Sequence, residues 1–155
     1  MLRPASERPR LAPVSGAQPL GPLARARLAG EIVGACLKAR HYLREAPIES
    51  VIANLRAANA SAASAAARNP TPTNLEQARR LGRAVAATLR LLPGDTRCLV
   101  RSLVLTRLLA RREIPARLVI GARAEPDFLA HAWVECAGAP VLSPGDGSFA
   151  RLVEL

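Results

Sequence analysis

Residues 98–123 read Cys98-Leu-Val-Arg-Ser-Leu-Val-Leu-Thr-Arg-Leu-Leu-Ala-Arg-Arg-Glu-Ile-Pro-Ala-Arg-Leu-Val-Ile-Gly-Ala-Arg123, and within them the apolar period changes. From Cys98 to about Arg112, Leu99, Leu103, Leu108 and Leu109 recur at helical spacing, and Asp95 or Thr96 just upstream supplies a cap. After Pro115 the period falls to two, so Arg117 to Ala122 reads as a strand. Glu125-Pro126-Asp127 is a turn and Leu129 to Cys136 a second strand. Ala137-Gly138-Ala139-Pro140 turns the chain again, and Val141-Leu142 begins a third strand.

Upstream of Cys98 the pattern is helical. Leu28, Ile32, Ala35 or Cys36, and Ala39 or Tyr42 with Leu43 form one stripe between Pro22 and about Ala46. Pro47 stops that helix, and a shorter one is expected over Ile48 to Ala58 with Val51, Ile52 and Leu55 inward. Asn59 to Pro72 is rich in Ala and Ser and reads as a flexible connection, although alanine can carry the helix on for a turn or two. Thr73-Asn74-Leu75-Glu76 has capping-box spacing and opens a helix whose stripe is Leu75, Ala78, Leu81, Val85, Leu89 and Leu92. Helices followed by a small antiparallel sheet make an α+β fold. The expected organisation is a loose Pro-rich tail over 1–20, a helical part over 21–92 and a core over 93–155 that carries the chemistry.

Composition narrows the function classes. The chain has 155 residues, half of them hydrophobic but only 3% aromatic, so aliphatic side chains must build the core. Net charge is +10, but Lys38 is the only lysine and the arginines are dispersed, a pattern that also follows from GC-rich coding. With no aromatic stacking platform or reader motif, nucleic acid is not an expected partner. No run approaches the roughly 20 apolar residues of a membrane span, and no signal-peptide pattern opens the chain. The three cysteines, Cys36, Cys98 and Cys136, include no metal-finger spacing, and with two histidines no metal or cofactor is expected. Free thiols in a reducing cytoplasm are the expectation.

Cys98 falls in the first turn of its helix, where free amides, the helix dipole, Arg97 and Arg101 favour a thiolate nucleophile and can hold an oxyanion. Taken alone, such a cysteine is more often a small core residue. His131 lies within the second strand and shares a face with Trp133 and Glu135, while Ala132, Val134 and Cys136 share the other. Facing a helix N-terminus, it would be a general base toward Cys98. A carboxylate to orient the imidazole depends on hairpin register. A four-residue loop over 137–140 sets His131 opposite Asp146; a two-residue loop over 137–138 sets it opposite Pro144, leaving Asp146 about 7 Å too far. Asp127 is the fallback. His41, in a basic stretch of helix, reads as a surface or packing residue.

The block from Cys98 to Arg123, followed by Ala130-His-Ala-Trp-Val-Glu135, resembles the leader peptidases of lasso-peptide biosynthesis, the microcin-processing protein family with a transglutaminase-like fold. The resemblance implies Cys98 as nucleophile and His131 as base. The family's acidic member sits in the strand after the histidine, nearer to it than Asp146; here Ser143 occupies that place. Either the alignment shifts through Ser143-Pro144-Gly145 to Asp146, or a dyad works without a strong acid. The implied function is removal of the leader from a ribosomally made precursor before macrocyclisation. The implied partners are the precursor leader, a separate leader-recognition protein and an ATP-dependent lasso cyclase. The alternative is a non-catalytic transglutaminase-like module that binds within a peptide-maturation complex.

Overall fold

The computed structural model describes residues 21–45, 47, 49–50, 52–54, 56–57, 60–61, 64, 74–93 and 98–155. Helix α1 runs Pro22–Glu45, α2 Asn74–Leu89 and α3 Cys98–Ala110; strands β1 Arg117–Arg123, β2 Leu129–Cys136, β3 Ala139–Pro140 and β4 Ala150–Glu154 follow. The sheet is antiparallel in the order β3-β2-β1-β4. This is the α+β architecture expected from the change of period.

Helix α3 is the centre of the molecule. It buries Val100, Ser102, Leu103, Val104, Leu105, Thr106, Leu108 and Leu109, far more than the one stripe read from its sequence. A helix covered on all sides needs apolar residues all round, which is what this segment supplies. α1 packs on it through Ile32, Ala35 and Cys36, and α2 through Ala78, Leu81, Val85 and Leu89. The sheet closes the remaining side with Leu118, Ala132, Val134 and Cys136. Gly82 of α2 is a close-approach point, since a Cβ there would lie 3.0 Å from Val141.

Three local readings are decided or revised. The described residues between 49 and 64 are helical, and 60, 61 and 64 follow the alternative in which alanine carries the helix on for a turn or two. The turn after β2 is a two-residue loop, because Cys136 pairs with Ala139 and Glu135 with Pro140. Ala137 at φ 50° and Gly138 at φ 75° are both left-handed, the geometry whose twist matches a tight hairpin. Pairing after the turn therefore begins at Ala139, earlier than the expected Val141, and β3 ends at Pro140. Finally, β4 adds a fourth strand on the far side of β1, with its register shifted between Ile120 and Gly121. Residues 1–20, Val51, Leu55, the Thr73 cap and the Asp95 and Thr96 caps lie outside the described residues.

Candidate active site

Cys98 is the first residue of α3 and is half-buried at the margin of the core. Its placement is settled one turn later. Residues four apart on a helix lie on one face, about 6 Å apart, and the residue four on from Cys98 is Ser102. Ser102 is fully buried, and its hydroxyl donates a 3.0 Å hydrogen bond to the carbonyl of Ala132, the neighbour of His131 on β2.

The direction of that carbonyl follows from the ladder. Val134 O accepts the amide of Val141 at 2.8 Å and so points to the β3 edge of β2. Carbonyls alternate edges along a strand, so Ala132 O points to the same edge. Because β3 stops at Pro140, that carbonyl has no strand partner there and takes the Ser102 hydroxyl instead. α3 is thus pinned, one turn after Cys98, to the open edge of β2 at the strand position next to His131.

His131 approaches that edge from the other face of the sheet. Ala132, Val134 and Cys136 face the helices, while His131, Trp133 and Glu135 share the opposite face, as the alternation predicted. The imidazole does not confront α3 directly, and no hydrogen bond joins it to Cys98. Its ring stacks on Trp133 with centroids 6.0 Å apart and lies 5.2 Å from the Phe149 ring. Its Nε2 is 3.0 Å from the carbonyl oxygen of Ser143. A carbonyl can only accept, so Nε2 donates, and in the neutral ring Nδ1 carries the lone pair.

The carboxylates fall elsewhere. With the two-residue hairpin, Asp146 stands beyond His131's partner position, and no hydrogen bond joins the two. The Asp146 carboxylate accepts from both the amide and the hydroxyl of Ser148, and its other oxygen is 3.1 Å from Arg123 Nη1. Those Ser148 bonds, with the nearby Arg123 charge, hold the Asp146 carboxyl below the usual range. Asp127 is exposed in the turn before β2. Glu135 is buried, accepting from Trp133 Nε1 at 2.9 Å and Arg151 Nη2 at 2.6 Å. Ser143, at the place where the resemblance puts the acid, is the residue the structure brings to His131, and it presents its backbone. Sequence reasoning attended to side-chain acids and so passed over a main-chain acceptor; the two-residue register, which ends the ladder before this segment, is the signal that leads to it.

The other candidates lie apart from this edge. His41 is exposed on α1, 3.2 Å from Glu45. Cys36 and Cys136 are buried, and burial pushes the Cys136 thiol up. On α3, Arg101 has a buried Nε with no hydrogen-bond partner, one turn from Cys98. A cavity of about 480 Å³ lined by Ala39, Leu43, Leu103 and Arg107 lies toward the C-terminal half of α3, away from Cys98. Among the described residues no cluster of His, Cys, Asp or Glu could hold a metal ion.

A family model described as the transglutaminase-like superfamily matches residues 42–154. The chain belongs to the transglutaminase-like superfamily. The match takes in the end of α1, α2, α3 and the whole sheet. Cysteine peptidases are among the superfamily's members. No curated protein and no solved structure matches the chain. Among the described residues no helix is long and apolar enough to cross a membrane.

Proposed function

We propose that this transglutaminase-like protein is a cysteine peptidase that removes the leader from a ribosomally made lasso-peptide precursor before macrocyclisation. The observation that supports the catalytic part is the Ser102–Ala132 hydrogen bond, which ties the helix that begins at Cys98 to the strand that carries His131. The substrate assignment rests on the similarity of the Cys98–Arg123 and Ala130–Glu135 blocks to that peptidase family.

The chemistry is acyl transfer. Cys98 Sγ attacks the carbonyl of the last leader residue while His131 Nδ1 accepts the thiol proton. The S–C bond forms and the C–N bond breaks, with His131 passing its proton to the departing amine of the core peptide. Water then attacks the thioester, His131 takes up its proton, and the leader leaves with a free carboxylate as the thiol is restored. Amides at the start of α3 supply the oxyanion's donors. Contacts between sulfur and imidazole are often long before substrate binds, and tighten in the complex.

A separate recognition protein delivers the leader, an ATP-dependent cyclase takes the freed amine, and the three work together in the cytoplasm. The test is mass spectrometry of the precursor encoded beside this gene, incubated with that recognition protein and with wild type, Cys98→Ala or His131→Ala. A leader-sized mass loss with wild type alone is expected. Cleavage by Cys98→Ala refutes the assignment, and binding without cleavage by wild type turns the protein into a binding module.

A further inference from the structure

The 143–149 segment follows a course that its own sequence does not demand, and it ends on the imidazole. Ser143 lends its carbonyl to His131 Nε2, while its hydroxyl accepts the amide of Gly145 at 3.2 Å. Gly145 has φ +84°, and a Cβ there would come 2.7 Å from the Phe149 ring. The glycine is therefore what lets Phe149 close over His131. The far side of the loop is tied by Asp146. Its carboxylate gathers the Ser148 amide and hydroxyl and pairs with Arg123 of β1, whose guanidinium also reaches the Ser148 hydroxyl at 3.3 Å and sits 5.6 Å from the Phe149 ring centroid.

We infer that Asp146 is a positioning residue: it clamps the 143–149 loop to β1, so that the main-chain carbonyl of Ser143, in place of a carboxylate, orients His131. The inference rests on the reading of His131 as the base of the peptidase. Three features support it. Both Asp146 oxygens are engaged by Ser148 and Arg123. The only hydrogen-bond partner of the ring among the described residues is the Ser143 carbonyl. The loop carries that carbonyl and Phe149 on either side of the Asp146 clamp.

The charged groups on the strands and loop beside the imidazole are Arg123 on β1, Arg151 on β4, Glu135 on β2 and Asp146 in the loop, while α3 packs on the other face of the sheet. Arg151 holds Glu135 and Glu154, and Arg123 holds Asp146, so none of these carboxylates is hydrogen-bonded to the ring. A carbonyl fixes the tautomer as a carboxylate does, without adding a charge to stabilise imidazolium.

The test reads the ring itself, independently of cleavage. With just two histidines in the chain, long-range ¹H–¹⁵N spectra of the full-length protein resolve the His131 nitrogens. Wild type is expected to show the Nε2–H tautomer. Asp146→Asn keeps an oxygen for Ser148 but sets an amide N–H against Arg123, so it is expected to lose part of the tautomer preference and of kcat, less than Asp146→Ala does. Asp146→Ala releases the loop; the two nitrogens then average, and kcat falls at least about tenfold with KM little changed, a positioning loss. Ser148→Ala weakens the same clamp and is expected to move the spectrum the same way. If Ser148→Ala keeps the tautomer while Asp146→Ala loses it, the carboxylate acts on the ring without the clamp and the inference is overturned. If Asp146→Ala keeps it, the clamp positions nothing and the inference is equally overturned. A failed peptidase assignment shows separately, as an ordered ring in a protein that does not cleave.

Discussion

Replacing Ser102 by alanine isolates the bond that joins the helix of Cys98 to the strand of His131. Ser102 is fully buried and its hydroxyl has one acceptor, Ala132 O at 3.0 Å. Removing it forfeits a net hydrogen bond of about 1 kcal/mol and leaves a carbonyl at the sheet edge without a partner, a further cost on the order of 1 kcal/mol. The total of roughly 2 kcal/mol corresponds to a fall in Tm of about 4–8 °C for a chain of this size. Thr106→Val is the matched control. It is also buried and nearly isosteric, but the Thr106 hydroxyl bonds only back to Ser102 O within the helix at 2.9 Å, so its loss should cost under about 1 kcal/mol. Urea unfolding followed by circular dichroism gives both values from the midpoint shift at constant slope. Precursor cleavage by Ser102→Ala should fall further than stability alone explains, because the Cys98 turn loses its register with β2. Equal midpoints for Ser102→Ala and wild type would refute the claim that this bond fastens the site.

Three other outcomes follow from the packing and the ionisable groups. Gly121→Ala places a Cβ 2.8 Å from Ala150 O and 3.0 Å from the Trp133 ring, so it should cost about 2 kcal/mol in urea unfolding and loosen β4; a neutral result would mean the β1–β4 contact is misread. Iodoacetamide under native conditions should place one adduct, at Cys98, because Cys36 is 0% and Cys136 2% exposed; comparable labelling of either buried thiol, located by peptide mass, would contradict the core described here. Folding depresses the Glu31 carboxyl below 4.5, chiefly through its hydrogen bond from Arg112, so its contribution is complete above that value and is lost as pH falls through the lower folded value. Glu31→Gln should therefore cost about 0.5 kcal/mol at neutral pH and nothing at strongly acidic pH; a constant difference across that range would refute the ion pair.

The parts of the fold that sequence reveals are those whose period is long and clean. The helical stripes of α1 and α2 and the alternation of β1 and β2 can be read directly, because each buries one face against α3 or the sheet. α3 itself carries apolar residues around its whole circumference, so its central position is written in composition more than in a stripe. β4 is five residues long and exposed throughout, leaving no buried alternation to reveal it. The hairpin was ambiguous because the tight turn requires Ala137 to be left-handed, a conformation alanine's sequence signal argues against. Cys98 and His131 stand out as residue types on predicted elements, and the structure ties the helix of the one to the strand of the other through Ser102 and Ala132. The role of the 143–149 loop depends on a backbone carbonyl and on the register of a strand that ends at Pro140, neither of which a side-chain pattern records.

The most direct test of the central claim is to quench the reaction of the protein with precursor and recognition protein within a single turnover and weigh the intact chain. If Cys98 and His131 act as nucleophile and base, wild type gains the mass of the leader less one water, localised to the peptide containing Cys98, and His131→Ala gains it far more slowly. Cleaved precursor with no adduct on Cys98 at any quench time, or an equal rate of acylation in His131→Ala, would contradict the account.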